Sequence, residues 1–132
     1  MSRRVDDLLA AARARIGRIK PEDLASVVET GGLVVDIRPE AQRRSEGPLP
    51  GAVVLERNVL EWRLGPQGDH RIRDVRDHDQ QVVVVCSAGY ASSLAAAVLV
   101  DLGFSRAADL DGGYLAWRDW SRTHAVAAGV GR

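Results

Sequence analysis

The stretch VVVVCSAGYASSLAAAVLV, residues 82–100, holds the only cysteine of the 132-residue chain, Cys86, between an unbroken apolar run and a segment with helical spacing. In an open parallel sheet, ligands arrive outside the carboxyl ends of the strands, and a strand over 82–86 ends on Cys86 itself. The loop residues Ser87, Ala88, Gly89, Tyr90 and Ala91 are mostly small and include a glycine. Their backbone can curl with its N–H groups inward, as an anion-binding nest. A helix over 92–102, opening at Ser92, adds the partial positive charge of its first turn. Both effects favour a thiolate over a thiol and make Cys86 a candidate nucleophile. A free cysteine at the end of a buried strand is also a common small apolar core residue, and the residue pattern alone leaves both readings open.

The elements that must position this loop are legible on either side of it. SRRVDDLLAAARARIG reads as a first helix with Ser2 as cap, Val5, Leu8, Leu9, Ala12 and Ile16 at helical spacing, and Gly17 as stop. PEDLASVVETGG has Pro21 at a typical first helical position and glycines at its finish, and is predicted as a second helix. LVVDIR, residues 33–38, is a short buried strand with Asp36 near its end; PEAQRRSEGPLPG is a short helical turn and a loop; AVVLE, residues 52–56, is the next strand. RNVLEWRLG offers Asn58 as a cap, with Trp62 expected to turn inward beside Leu60 or Val59, and the charged segment after it is expected to be a surface loop. QVVVVC is the most strand-like run, of the kind covered on both faces, and the helix after it presents Leu94, Ala95, Val98 and Leu102. A last strand falls at 107–110 and a last helix over GYLAWRDWSRTH, with Leu115 and Trp117 among its buried candidates, before a loose tail. Strands alternating with helices predict an α/β domain with an open, mostly parallel sheet flanked by helices on both faces.

Composition narrows the function classes. Hydrophobic residues make up 45% of the chain and no apolar run approaches the length of a membrane span. Eighteen basic residues balance eighteen acidic ones, which gives no overall electrostatic reason to expect nucleic-acid or membrane-surface binding. The first twenty residues are locally basic, but DDLLAAARARI lacks the apolar core of a secretory signal and reads as a solvated helix. A single cysteine excludes an intramolecular disulfide, and a cytoplasmic setting is expected. The lone lysine, Lys20, among eighteen basic residues points to a GC-rich coding genome.

Four segments, in order, carry a resemblance to a known family. VVVVCSAGYASSLAAAVLVDLGF resembles the active-site segment of rhodanese-like domains; LVVDIRPEAQ resembles their first buried strand with its Asp-x-Arg; GPLPGAVVL resembles their Gly-His-Ile-Pro-Gly-Ala turn; DLDGGYLAW resembles their terminal Leu-x-Gly-Gly-x-x-x-Trp motif. The resemblance covers about residues 19–120 and implies a single-domain sulfurtransferase. In this reading residues 1–18 are a helical extension, 19–122 the rhodanese-like domain and 123–132 a flexible tail. Cys86 would take sulfane sulfur from thiosulfate or a persulfide and pass it to a thiophilic acceptor, either a small molecule or a protein thiol, with no cofactor. The backbone of Ser87, Ala88, Gly89, Tyr90, Ala91 and Ser92 would solvate the persulfide. The chain departs from the family pattern in having no charged loop residue, Pro48 in place of the turn histidine, and Gln42 where an acid is usual.

In the implied fold Arg57 and Arg63 lie near the site rim, where either would supply the cation missing from the loop or stand as a solvated surface arginine. Asp36 is expected to be structural or to orient the site, and Arg38 to pair with Glu40 or Glu46. His70, His78 and His124 lack companion cysteines at ligand spacing, so no metal is expected. Two other classes remain in view. One is a catalytically weak regulatory or partner-binding module. The other is a cysteine phosphatase, which needs Arg where this chain has Ser92.

Overall fold

The computed structural model describes residues 3–127. Its elements run α1 (Val5–Arg13), β1 (Gly17–Ile19), α2 (Leu24–Glu29), β2 (Leu33–Asp36), α3 (Glu40–Glu46), β3 (Val53–Val54), α4 (Leu60–Leu64), β4 (Val82–Val85), α5 (Ala91–Asp101), β5 (Ala107–Leu110) and α6 (Gly113–Ala127). The five strands form one sheet in the order β1-β5-β4-β2-β3, and every adjacent pair is parallel. The chain steps from β2 to β3 toward one edge and from β4 to β5 toward the other. Its direction therefore reverses beside β4, and the carboxyl end of that strand is a topological switch point.

Side chains alternate across the sheet with period two, which explains why β4 reads as continuous valine. Val82 and Val84 join one core with Leu60, Leu64, Ala95, Ala96, Leu99 and Phe104. Val83 and Val85 join the other with Leu24, Val27, Leu49, Leu110 and Tyr114. All four valines are fully buried. On the first face α5 lies against β4 and β5 and is itself covered by α1. A helix enclosed from two sides needs small residues, and Ser92, Ser93, Ala95, Ala96 and Ala97 of α5 are all buried.

Several sequence expectations need correction. The segment between the first two helices contains β1, which pairs with β5 at the sheet edge and runs across the boundary drawn between residues 18 and 19. Trp62 points outward, 63% exposed, and lines a surface cavity of about 480 Å³ with Pro66, His70 and His78. The buried residues of that helix are Leu60 and Leu64, because a single turn has room for only one inward face. Asn58 lies within a 3-10 turn, Arg57–Val59, and caps nothing with its side chain; Val59 occupies the cap position. Leu94 is on the outer side of α5. The last helix continues through Ala127, into the segment expected to be tail. Ser2, expected as the first cap, and the tail from residue 128 lie outside the described residues; Arg4 occupies the cap position of α1.

Candidate active site

Cys86 follows β4 directly and is buried, with a relative exposure of 9%. Its sulfur accepts the Gly89 N–H at 3.2 Å and the Ser92 N–H at 3.3 Å. Ser92 is the second residue of α5, and Tyr90, at the cap position, gives no side-chain bond. The sulfur thus stands where a capping oxygen ordinarily sits, on the unsatisfied N–H groups of a helix start. That position stabilises negative charge on sulfur.

The loop is held open by what binds its carbonyls. The Cys86 carbonyl accepts the Tyr114 N–H at 2.8 Å and the Ser87 carbonyl accepts the Leu115 N–H at 3.1 Å, both from the first turn of α6. The Gly89 carbonyl accepts Arg13 Nη2 at 2.7 Å and Arg18 Nη2 at 3.1 Å. Because a trans peptide points its C=O and N–H in opposite directions, drawing the Cys86, Ser87 and Gly89 carbonyls outward turns the N–H groups of Ser87, Ala88 and Tyr90 to the inner side of the loop. The Gly112–Gly113 pair is required by the same packing. A Cβ on Gly113, at φ +67°, would lie 2.5 Å from the Ser87 carbonyl oxygen and 2.6 Å from that of Cys86. Gly89, at φ +86°, fits under Gly112 with 3.0 Å between its would-be Cβ and the Gly112 nitrogen.

Behind the sulfur lies a buried polar chain. Cys86 donates its S–H to Ser92 Oγ at 3.2 Å, and Ser92 donates to Asp109 Oδ2 at 2.8 Å. Ser93 donates to the same carboxylate oxygen at 2.7 Å. Asp109 is fully buried and is neutralised by Arg18, whose Nε reaches Oδ1 at 2.9 Å. The hydrogen bond to Asp109 raises the Arg18 pKa above its ordinary value against the opposing effect of burial. Asp111 and the sulfur of Cys86 add smaller attractions.

On the other flank Arg38 is fully buried and pairs with Asp36 at 2.8 Å and Glu46 at 3.1 Å. Burial opposes its charge, but the bonds to Asp36 and Glu46 outweigh that and hold its pKa above the ordinary value. The Tyr114 ring lies 3.8 Å beneath its guanidinium. Glu46, expected as a partner, is one, whereas Glu40 instead pairs with Arg44; the strongest partner is Asp36 itself. Ser87 Oγ lies 2.9 Å from both Gln42 Oε1 and Glu46 Oε1 and donates its single proton to one of them.

Of the residues expected at the site, Ser87, Ala88, Gly89, Tyr90, Ala91 and Ser92 form the loop around Cys86, with Ala88, Tyr90 and Ala91 exposed on its rim. Arg57 is engaged with Glu61 at 3.0 Å, and Arg63 donates to the His70 carbonyl at 2.7 Å. The cations that reach the loop are Arg13 and Arg18, which the sequence reading placed on a solvated helix or passed over. Asp109 was missed too, although a carboxylate inside a buried strand is itself a signal, since burial demands a partner. Among the described residues no cluster of three or more His, Cys, Asp or Glu is placed to hold a metal ion.

The thiosulfate sulfurtransferase GlpE of Pseudomonas savastanoi is 36% identical over 104 residues, spanning 76% of this chain and 86% of that one. A Rhodopseudomonas palustris protein of unknown function, described as a possible tyrosine phosphatase, superposes with a TM-score of 0.80 at 27% identity over 92% of this chain and 93% of that one. The human single-domain sulfurtransferase TSTD1 shares the fold, with a TM-score of 0.64 at 20% identity over 77% of this chain and 95% of that one. The profile of the rhodanese-like domain matches residues 20–119, and the chain belongs to that family.

Proposed function

We propose that this chain is a sulfurtransferase in which Cys86 carries sulfane sulfur from an anionic or persulfide donor to a thiophilic acceptor. The Cys86 thiolate attacks the outer sulfur of the donor, the donor S–S bond breaks, and the leaving group, sulfite from thiosulfate or a thiolate from a persulfide, departs with the electron pair. The resulting persulfide is attacked at its outer sulfur by the acceptor, and Cys86 leaves as thiolate. The observation that carries this reading is the seat of the sulfur itself, on the N–H groups of Gly89 and Ser92 at the start of α5. Such preorganised donors favour a charged sulfur throughout both half-reactions. The curated relatives named thiosulfate sulfurtransferase support the same chemistry.

Ser87, Ala88, Tyr90 and Ala91 line the approach and Ser92 steadies the sulfur from behind. Asp36 and Arg38 brace the strand end beside the site. Arg57 is held by Glu61 and would add a secondary charge for an anionic donor on leaving that partner. With no second cysteine in the chain, the persulfide has no internal resolving partner and is discharged by an external acceptor. Among the described residues no helix is long and apolar enough to cross a membrane, and a persulfide carrier with a single thiol suits the reducing cytoplasm. A loop without a charged residue favours donors that need little cation capture, such as low-molecular-weight persulfides, over the thiosulfate dianion. A phosphatase reading lacks the arginine clamp, since Ser92 stands in its place.

Steady-state kinetics with thiosulfate or a small persulfide as donor and cyanide as acceptor tests the proposal. Parallel double-reciprocal lines that vanish in Cys86→Ser are expected. Intersecting lines, or turnover that survives the substitution, would contradict it.

A further inference from the structure

The Gly89 carbonyl is the part of the loop whose placement depends on residues outside the matched domain. Arg13 belongs to α1 and Arg18 to β1, both before residue 20 where the family match begins. Arg18 is balanced by Asp109 and Asp111. Arg13 is different. Its Nη2 donates to the Gly89 carbonyl at 2.7 Å, its Nε donates to Ser93 Oγ at 3.1 Å, and its guanidinium carbon lies 5.5 Å from the centre of the exposed Tyr90 ring. Among the described residues it forms no ion pair with a carboxylate, so its positive charge is left uncompensated behind the loop.

We propose that Arg13 is a positioning residue for Cys86. By drawing the Gly89 carbonyl outward it keeps the Tyr90 N–H on the inner side of the loop, between the Gly89 and Ser92 N–H groups that meet the sulfur, and its unpaired charge favours a charged Cys86 from behind. Turning the Gly89–Tyr90 peptide over would bring a carbonyl dipole toward the sulfur and send the Tyr90 N–H outward. A charged donor on that carbonyl opposes the turn more strongly than a neutral one. The other charges facing Cys86 are already matched. Asp109, behind Ser92, is paired with Arg18, and Glu46, beyond Ser87, is paired with Arg38. The first helix thereby helps to position the loop around Cys86.

The inference rests on Cys86 being the nucleophile, and its test separates the two claims. The full chain is compared with Arg13→Ala, Arg13→Lys and, as a control in the turn that follows α1, Arg15→Ala, whose partner Asp101 lies at the far end of α5. Two readouts are taken: the rate of Cys86 alkylation by iodoacetamide at neutral pH, which needs no sulfur donor, and kcat and KM for sulfur transfer. Arg13→Ala is expected to slow alkylation and lower kcat by about tenfold while KM stays nearly constant, because Arg13 sits behind the loop and does not touch the donor. Arg13→Lys should recover much of both, and Arg15→Ala should match the parent. Wild-type alkylation and kcat in Arg13→Ala would overturn the proposal, as would a loss confined to KM or to thermal stability. If the parent took up no sulfur from any donor yet Arg13→Ala still slowed alkylation, the sulfurtransferase reading would fall and this inference would stand.

Discussion

On the β2 side of Cys86 a fully buried arginine, Arg38, bonds to Asp36, Glu46 and the Gly47 carbonyl. On the β5 side two half-buried arginines, Arg13 and Arg18, bond to Asp109, Ser93 and the Gly89 carbonyl. Both networks use guanidinium forks on carboxylates and carbonyls at the carboxyl ends of parallel strands. They differ in what they hold. The first fastens α3 and the following turn to the end of β2, and reaches the loop through the Ser87 hydroxyl and through Tyr114, which stacks against Arg38 and donates its N–H to the Cys86 carbonyl. The second grips the loop backbone and, through Ser92, the sulfur. The same chemistry holds the end of β2 on one flank and the surroundings of Cys86 on the other.

The largest effect should come from breaking the fold-side network. Arg38→Ala leaves Asp36, 1% exposed, as an unpaired buried charge, and should lower the unfolding free energy by about 3–5 kcal/mol in urea denaturation. Alkylation of Cys86 in the folded fraction should stay within about twofold of the parent, because the sulfur's own donors are untouched. A stable Arg38→Ala variant with a sluggish thiol would reverse the roles assigned to the two flanks. A smaller effect should follow from adding charge in front of the loop rather than behind it. Ala91→Arg, at the exposed rim, should raise kcat/KM for thiosulfate by roughly two- to fivefold at low salt, with the gain fading as salt is added. An unchanged rate would mean that anion capture does not limit the reaction.

The smallest effect concerns Arg15 and Asp101, an exposed pair that links the turn after α1 to the end of α5. The hydrogen bond from Arg15 holds the Asp101 carboxyl below its ordinary value. A carboxyl lowered by folding adds stability that is present above its unfolded value and is lost as pH falls through the folded one. Asp101→Asn should therefore be slightly less stable than the parent near neutral pH, and thermal melts of the two should converge in acid. A gap that widened in acid would contradict that sign.

The parts legible in the sequence are those governed by local periodicity and turn chemistry. The valines of β4, the strand at 107–110 and the helix after the loop come from apolar patterning, and the Gly112–Gly113 pair was visible as a motif before its reason, close backbone packing, was known. What the sequence hid was long-range. Nothing in residues 10–20 ties Arg13 to Gly89, 76 positions away. The edge strand β1 is three residues long and half-exposed, too short to show a period. Apolar patterning alone puts the Trp62 ring in the core, but in a helix this short Leu60 and Leu64 fill the inward face. Asp36 and Arg38 were read as a strand end and a separate ion pair, yet residues two apart can meet when the chain turns immediately after the strand.

The central claim is that Cys86, seated on the N–H groups of Gly89 and Ser92, carries sulfur covalently. Its most direct test is intact mass spectrometry after incubation with thiosulfate or a small persulfide. A gain of one sulfur that cyanide removes and that Cys86→Ser abolishes is the predicted result. An unchanged mass with every donor, or a sulfur adduct that persists in Cys86→Ser, would contradict it.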